Sequence, residues 1–203
     1  MFAMTALGDT NSPLPRLFSD LVQRYTTGDT NAHNPLEGTE GPKVLATGDL
    51  NRDGLADLVA GNLDGSISVL LGSREGTLGS QIVMPATGVL SNSSIRAIVV
   101  ADFNDDGRAD VVAGDIARQG AVLLLGNGDG TFQQPRYLLS PGAQACFYDV
   151  AAADVNQDGH VDALALDYSQ WLTATNTITQ KRILIFTNDG RDQRRLGRIP
   201  RQR

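Results

Sequence analysis

One cysteine, two histidines and one tryptophan are all that the 203-residue chain holds of three residue types that often carry chemistry or anchor ligands. A single thiol, Cys146, excludes an intrachain disulfide. It does not fix the compartment, because a metal can staple a secreted domain in place of a disulfide. His33 and His160 are the only imidazoles, and no thiol–imidazole or serine-elbow pattern accompanies them. The expectation is a protein that is not an enzyme. No apolar run approaches the roughly 20 residues that span a bilayer, so no membrane span is expected. MFAMTALGD lacks the basic start and apolar stretch of a signal peptide. Export would then rely on a signal already removed or lying outside this chain.

What remains is ordinary for a globular protein: 41% hydrophobic and 20% charged residues. Twenty-two glycines favour many tight turns between short strands. The formal charge of -6 is unevenly spread. Six arginines and one acid, Asp192, fall in 190–203, leaving 11 bases against 22 acids elsewhere. An acidic body repels phosphate, so nucleic acid is not an expected partner. It suits cations instead.

Those acids are organised. GDLNRDGLADLVAGN begins at Gly48, ADFNDDGRADVVAGD at Ala101 and ADVNQDGHVDALALD at Ala153. Their first aspartates are Asp49, Asp102 and Asp154, so the period is 52–53 residues, a range typical of stacked or radial repeats. Each loop leads into β-branched and Leu-rich runs closed by Gly/Asn/Asp turns: SISVLLGSREGTL, AVLLLGNGDGTF and, after an insert, KRILIFTNDGR. Four strands are expected per repeat. They are placed at 44–50, 56–61, 66–72 and 80–86; at 97–103, 109–115, 120–126 and 135–140; and at 148–155, 162–168, 181–187 and 194–200. Four strands in a unit of this size make a β-propeller blade.

Hard cations such as calcium take six to eight oxygens. A tight loop supplies them from side chains at positions 1, 3, 5 and 9 and a carbonyl at position 7. The expected ligands are Asp49, Asn51, Asp53, Asp57 and the Leu55 carbonyl in the first loop. The second loop offers Asp102, Asn104, Asp106, Asp110 and the Arg108 carbonyl, and the third Asp154, Asn156, Asp158, Asp162 and the His160 carbonyl. Gly54, Gly107 and Gly159 fill position 6, where the chain turns with positive φ. An EF-hand would need a bidentate glutamate at position 12 and flanking helices. Position 12 is Ala60, Ala113 or Ala165, and the flanks read as strands. Asp, Asn and Gly also make good turns without metal, but three copies of one oxygen set favour calcium. Three Ca²⁺ ions would bring the formal charge from -6 to zero. The expected affinity is weak, on the order of 10⁻⁴ to 10⁻³ M.

D-x-N-x-D-G-x-x-D followed by an apolar strand and VLLLGNGDGTF resembles the FG-GAP/VCBS repeat family, over roughly residues 43–200. The resemblance implies calcium-binding propeller blades akin to the integrin α-subunit head, an extracellular or cell-surface location, and a role in adhesion, protein interaction or assembly. The third repeat departs from the pattern where ILIFTNDGR replaces VLLLGNGDGTF.

The expected fold is therefore all-β, an array of about three four-stranded blades at 43–87, 88–142 and 143–203, preceded by an N-terminal segment, 1–42. Within that segment LFSDLVQRYTTGD (17–29) reads either as the outer strand of a preceding blade or as a short amphipathic helix over 16–25. Propellers close with four to eight blades. Three leave open apolar faces, to be covered by another polypeptide or a second copy. The calcium loops share one face of the array with the strand three–four turns. Partner contacts are expected on the opposite face, and above all on the insert DYSQWLTATNTITQ, 167–180, read as a long loop carrying Tyr168 and Trp171. Such an aromatic pair suits a protein contact or a glycan ring, which makes a carbohydrate-binding module or enzyme accessory domain the alternative function. Trp171 packing its own hairpin is the plainer reading. The arginine-rich tail reads as a solvated end or edge guard, and Asn92-Ser93-Ser94 is a glycosylation sequon. GNGDG (126–130) joins two strands instead of opening a helix, so it is no phosphate loop.

Overall fold

The computed structural model describes residues 5–6, 21–22, 41–85, 94–115, 120–139, 146–172 and 177–190. Every regular element among them is a strand. β1 (Thr5–Ala6) pairs with β2 (Leu21–Val22) in a short antiparallel ribbon. A helix across 16–25 is thereby corrected: Leu21 and Val22 are in a strand. The rest of 7–40 lies outside the described residues.

The first blade is a meander of β3 (Pro42–Gly48), β4 (Asp57–Asn62), β5 (Ser66–Leu70) and β6 (Ile82–Pro85). The second repeats it with β7 (Ile95–Ala101), β8 (Asp110–Asp115), β9 (Gly120–Leu124) and β10 (Arg136–Leu139). The third contains β11 (Phe147–Ala153), β12 (Asp162–Leu172) and β13 (Thr177–Phe186). Its expected fourth strand, 194–200, lies outside the described residues. All pairings are antiparallel. The chain is an all-β, open propeller-type array, as its repeats imply.

Strand alternation explains how blades stack. Successive side chains point to opposite faces, so a strand buried on both sides reads as an unbroken apolar run. VVAG in β8 and AVLL in β9 are such runs. Val111, Ala113, Val122 and Leu124 face blade 1 and join Val59, Ile67 and Val69 in one core. Val112, Ala121 and Leu123 face blade 3 and join Val150, Ala163, Ala165 and Phe186 in the other. Phe147 and Phe186 meet edge to face at 6.1 Å inside that second core. The first strands of successive blades pack against each other, β3 on β7 and β7 on β11. A Cβ added at Gly61 would stand 2.4 Å from Ile95 Cγ2, and one at Gly114 would stand 2.9 Å from the Phe147 carbonyl oxygen. At both positions glycine makes room for the first residue of the next blade.

The insert of repeat three is not a loop. β12 and β13 pair continuously from Ala163↔Phe186 to Leu172↔Thr177, so most of 167–180 extends the hairpin as a two-stranded ribbon. Thr177, Ile178 and Thr179 suit a pleated strand, and each additional pair adds ladder hydrogen bonds. Trp171 pairs with Ile178.

Candidate metal centre

All three loops are built alike, and the second shows how. Asp102 opens the loop, and its two carboxylate oxygens accept the Asp106 N–H at 3.2 Å and the Gly107 N–H at 2.8 Å. Asn104 Oδ1 accepts the same Asp106 N–H at 3.0 Å, while Asn104 Nδ2 donates to Asp106 Oδ2 at 3.1 Å. Asp106 Oδ1 then accepts the Arg108 N–H at 3.0 Å. The corresponding bonds recur in the first loop among Asp49, Asn51, Asp53, Gly54 and Leu55. They recur again in the third among Asp154, Asn156, Asp158, Gly159 and His160. These side chains replace the backbone partners that a tight loop cannot offer. Glycine takes φ of 82°, 76° and 91° at position 6. Position 4 is also left-handed, with φ of 64° at Arg52, 58° at Asp105 and 61° at Gln157. Nothing in the residue types at position 4 marks that turn.

Positions 1, 3 and 5 thus gather into one ring of acceptors. Position 9 does something further. Asp57, Asp110 and Asp162 are all buried. Asp110 Oδ2 accepts the Phe103 N–H at 2.9 Å and Oδ1 accepts the Gly126 N–H at 2.7 Å. Asp57 bonds Leu50 and Gly72 in the same way, and Asp162 bonds Val155 and Asn188. Each ninth-position carboxylate therefore ties its loop to the end of the third strand. Burial pushes Asp110 up to about 6 against the pull of its two N–H donors, with the charges of Asp106 and Asp102 adding to the rise.

Among the described residues no three acidic or imidazole side chains converge closely enough to hold a metal ion by themselves. Each loop instead offers two carboxylates, one amide oxygen and the position 7 residue, with the ninth-position acid occupied by backbone. A carboxylate oxygen that accepts one N–H keeps a second lone pair. The donor set is all oxygen and suits a hard cation with water completing its shell.

The loops also reach across to their neighbours. The Leu50 carbonyl accepts the Gly130 N–H of blade 2 at 3.1 Å, and the Phe103 carbonyl accepts Asn188 Nδ2 of blade 3 at 2.9 Å. The His160 side chain turns towards the second loop. Its Nδ1 lies 2.5 Å from Asp105 Oδ2, linking the second and third loops, and that contact raises its pKa. At the matching site between loops one and two, Arg52 and Arg108 flank Gly128.

The expected partner residues lie elsewhere. The Tyr168 ring meets Tyr148 edge to face at 5.5 Å, with Lys181 Nζ 5.2 Å from its centroid. Tyr148 was not anticipated from the sequence. Asp167, fully buried, pairs with Arg182 through Nη2 at 2.6 Å and Nε at 3.1 Å.

The repeat geometry agrees with a family profile, the FG-GAP-like repeat, which matches residues 49–113 and again 102–165. The chain belongs to the FG-GAP-like repeat family. Each match opens at the first aspartate of a calcium-type loop and runs into the next repeat, so the family unit is the same one that makes the blades here. No curated protein matches the sequence. Eight chains of solved structures do. Among them is a chain of the crystal structure of BBS1N in complex with ARL6DN, at 12% identity and a TM-score of 0.31, covering 74% of this FG-GAP-like protein. The present chain spans 57% of that chain's length.

Proposed function

We propose that this FG-GAP-like repeat protein is a non-catalytic interaction module, stabilised by calcium at its three loops and acting in adhesion or assembly at or outside the cell surface. The observation that carries the reading is the threefold repetition of one acceptor ring, each copy fixed to its blade by a buried aspartate. A loop that served only as a turn needs neither two acids in the ring nor a third in the core, since carboxylates at close range repel. Calcium relieves that repulsion and stiffens the loops without chemistry. Among the described residues no helix is long and apolar enough to cross a membrane.

The test is thermal unfolding with calcium and with chelator, together with a count of bound ions by calorimetry. At calcium ten times above the dissociation constant, each occupied loop adds about 1.4 kcal/mol. Three sites should therefore raise the midpoint by several degrees, with magnesium doing much less. Identical unfolding in calcium and chelator would remove the calcium part of the reading.

A second reading, a carbohydrate-binding module, draws on the Tyr148–Tyr168 pair beside Lys181, because half-exposed aromatic rings suit the apolar face of a sugar. Glycan-array binding lost in Tyr148→Ala and in Trp171→Ala would favour it. A polypeptide complex insensitive to sugars would favour the first.

A further inference from the structure

We propose that each metal-type loop is held shut by the turn of the blade that follows it, with Asn188 of blade 3 as the positioning residue for the loop of blade 2. The loops of blades 1 and 2 are thereby preformed for a cation, and that of blade 3 is not. The inference deepens the calcium reading and rests on it.

The three rings share the same local bonds. In each, the N–H of the position 6 glycine donates to the first aspartate, at 3.0 Å for Gly54, 2.8 Å for Gly107 and 2.9 Å for Gly159. Their surroundings differ. The position 2 residue of the first two loops, Leu50 or Phe103, is 2% exposed in the core shared with the next blade. Its carbonyl is bonded from the turn after the third strand of that blade. Gly130 N–H reaches Leu50 at 3.1 Å, and Asn188 Nδ2 reaches Phe103 at 2.9 Å. Val155, at the same position of the third loop, is 44% exposed. Among the described residues nothing bonds its carbonyl. The ring follows suit: Asp49, Asn51, Asp102 and Asn104 are half-buried, whereas Asp154 and Asn156 are exposed. The described polar tie from the third loop to another blade runs through the side chain at position 7, His160 to Asp105, and not through the ring.

Ligand charge and site rigidity together set the affinity of an oxygen site. Every ring holds two acids, so their number does not rank the sites. Position 4 would rank them, because Arg52 opposes a cation at the first ring while Gln157 is neutral at the third. Charge alone therefore puts the blade 1 site last. The latch puts the blade 3 site last, since an open loop must give up its freedom on binding and its exposed carboxylates act through water. The latch prevails, because Arg52 is exposed and its charge is screened.

The experiment is a calcium titration of the isotopically labelled full chain, read at the amide resonances of Gly54, Gly107 and Gly159, with amide exchange of the same glycines in chelator. Gly54 and Gly107 are expected to saturate at calcium concentrations about tenfold below Gly159. In chelator Gly159 should exchange about tenfold faster than either. Asn188→Ala keeps the backbone N–H that serves Asp162 but loses the donor to Phe103. It should weaken calcium at Gly107 by about threefold to tenfold, the worth of one hydrogen bond, and leave Gly54 unmoved. A general loss of stability would move both. Three glycines that saturate together, Gly54 saturating last, or Gly107 unmoved in Asn188→Ala would each overturn the proposal. The comparison within the parent chain decides the matter even if Asn188→Ala fails to fold. If no resonance responds to calcium while Gly159 still exchanges fastest, the calcium reading falls and the latch stands. Equal exchange at all three glycines removes the latch itself.

Discussion

Asp57, Asp110 and Asp162 occupy the position where the loop pattern places a fourth side-chain ligand, yet the oxygens of each already accept two backbone N–H groups, both of them buried for Asp110. Removing such a carboxylate leaves two donors unsatisfied, at about 1–3 kcal/mol each. Asp110→Ala should therefore lower the unfolding free energy by about 2–5 kcal/mol even in chelator, whereas Asp102→Ala should cost much less there and abolish the added stability from calcium. Denaturant titration of both variants, with and without calcium, checks this. The pH dependence follows from the same residue. Asp110 is held near 6, above its ordinary 3.8. A raised acid favours folding in its protonated form, so that contribution is complete below about pH 4 and is lost as pH rises through about 6. His160, raised by Asp105, acts in the same direction at higher pH. Stability in chelator should thus fall from pH 4 towards neutrality, and Asp110→Asn should flatten the lower part of the profile. The ring residues were legible because aspartate, asparagine and glycine each have one geometric use in a tight loop. The second use of position 9 was not, because it depends on donors such as Gly126, 16 residues away.

At the scale of strands, the first two blades could be read from turn residues and apolar runs to within about two residues, since both signals are local. The third blade could not. Alignment with its neighbours made 167–180 look like an insertion into a loop, whereas alternation in TNTITQ favoured a strand. Pairing partners, here Trp171 with Ile178, are decided across the hairpin and not along it. Gly61 and Gly114 fall inside expected strands with no purpose assigned, and the structure shows it: close approach between blades. Gly114→Val should destabilise by about 1–3 kcal/mol through overpacking against Phe147. Leu123→Ala, opening a cavity in the second core, should cost about 2–5 kcal/mol. Chemical denaturation measures both, and a neutral Gly114→Val would contradict the stacking described.

Among the described residues, two cores hold three blades in series, each core shared by neighbouring blades. Stability in such arrays is approximately a sum of unit and interface terms. Cutting the blade 1–blade 2 interface should accordingly leave the second core standing. Hydrogen exchange on Val69→Asp is expected to show fast exchange across β3–β6 with protection retained in β11 and β12. Uniform loss of protection would mean the array folds as one cooperative unit. The number of blades and their order were legible from the 52–53-residue period.

The latches between blades also set a direction in time. The Phe103 carbonyl is satisfied by Asn188, 85 residues later in the chain, and the Leu50 carbonyl by Gly130. As the chain leaves the ribosome, a blade can pair its own strands, but its loop is not locked until the turn of the following blade has been made. Folding therefore trails synthesis by one blade.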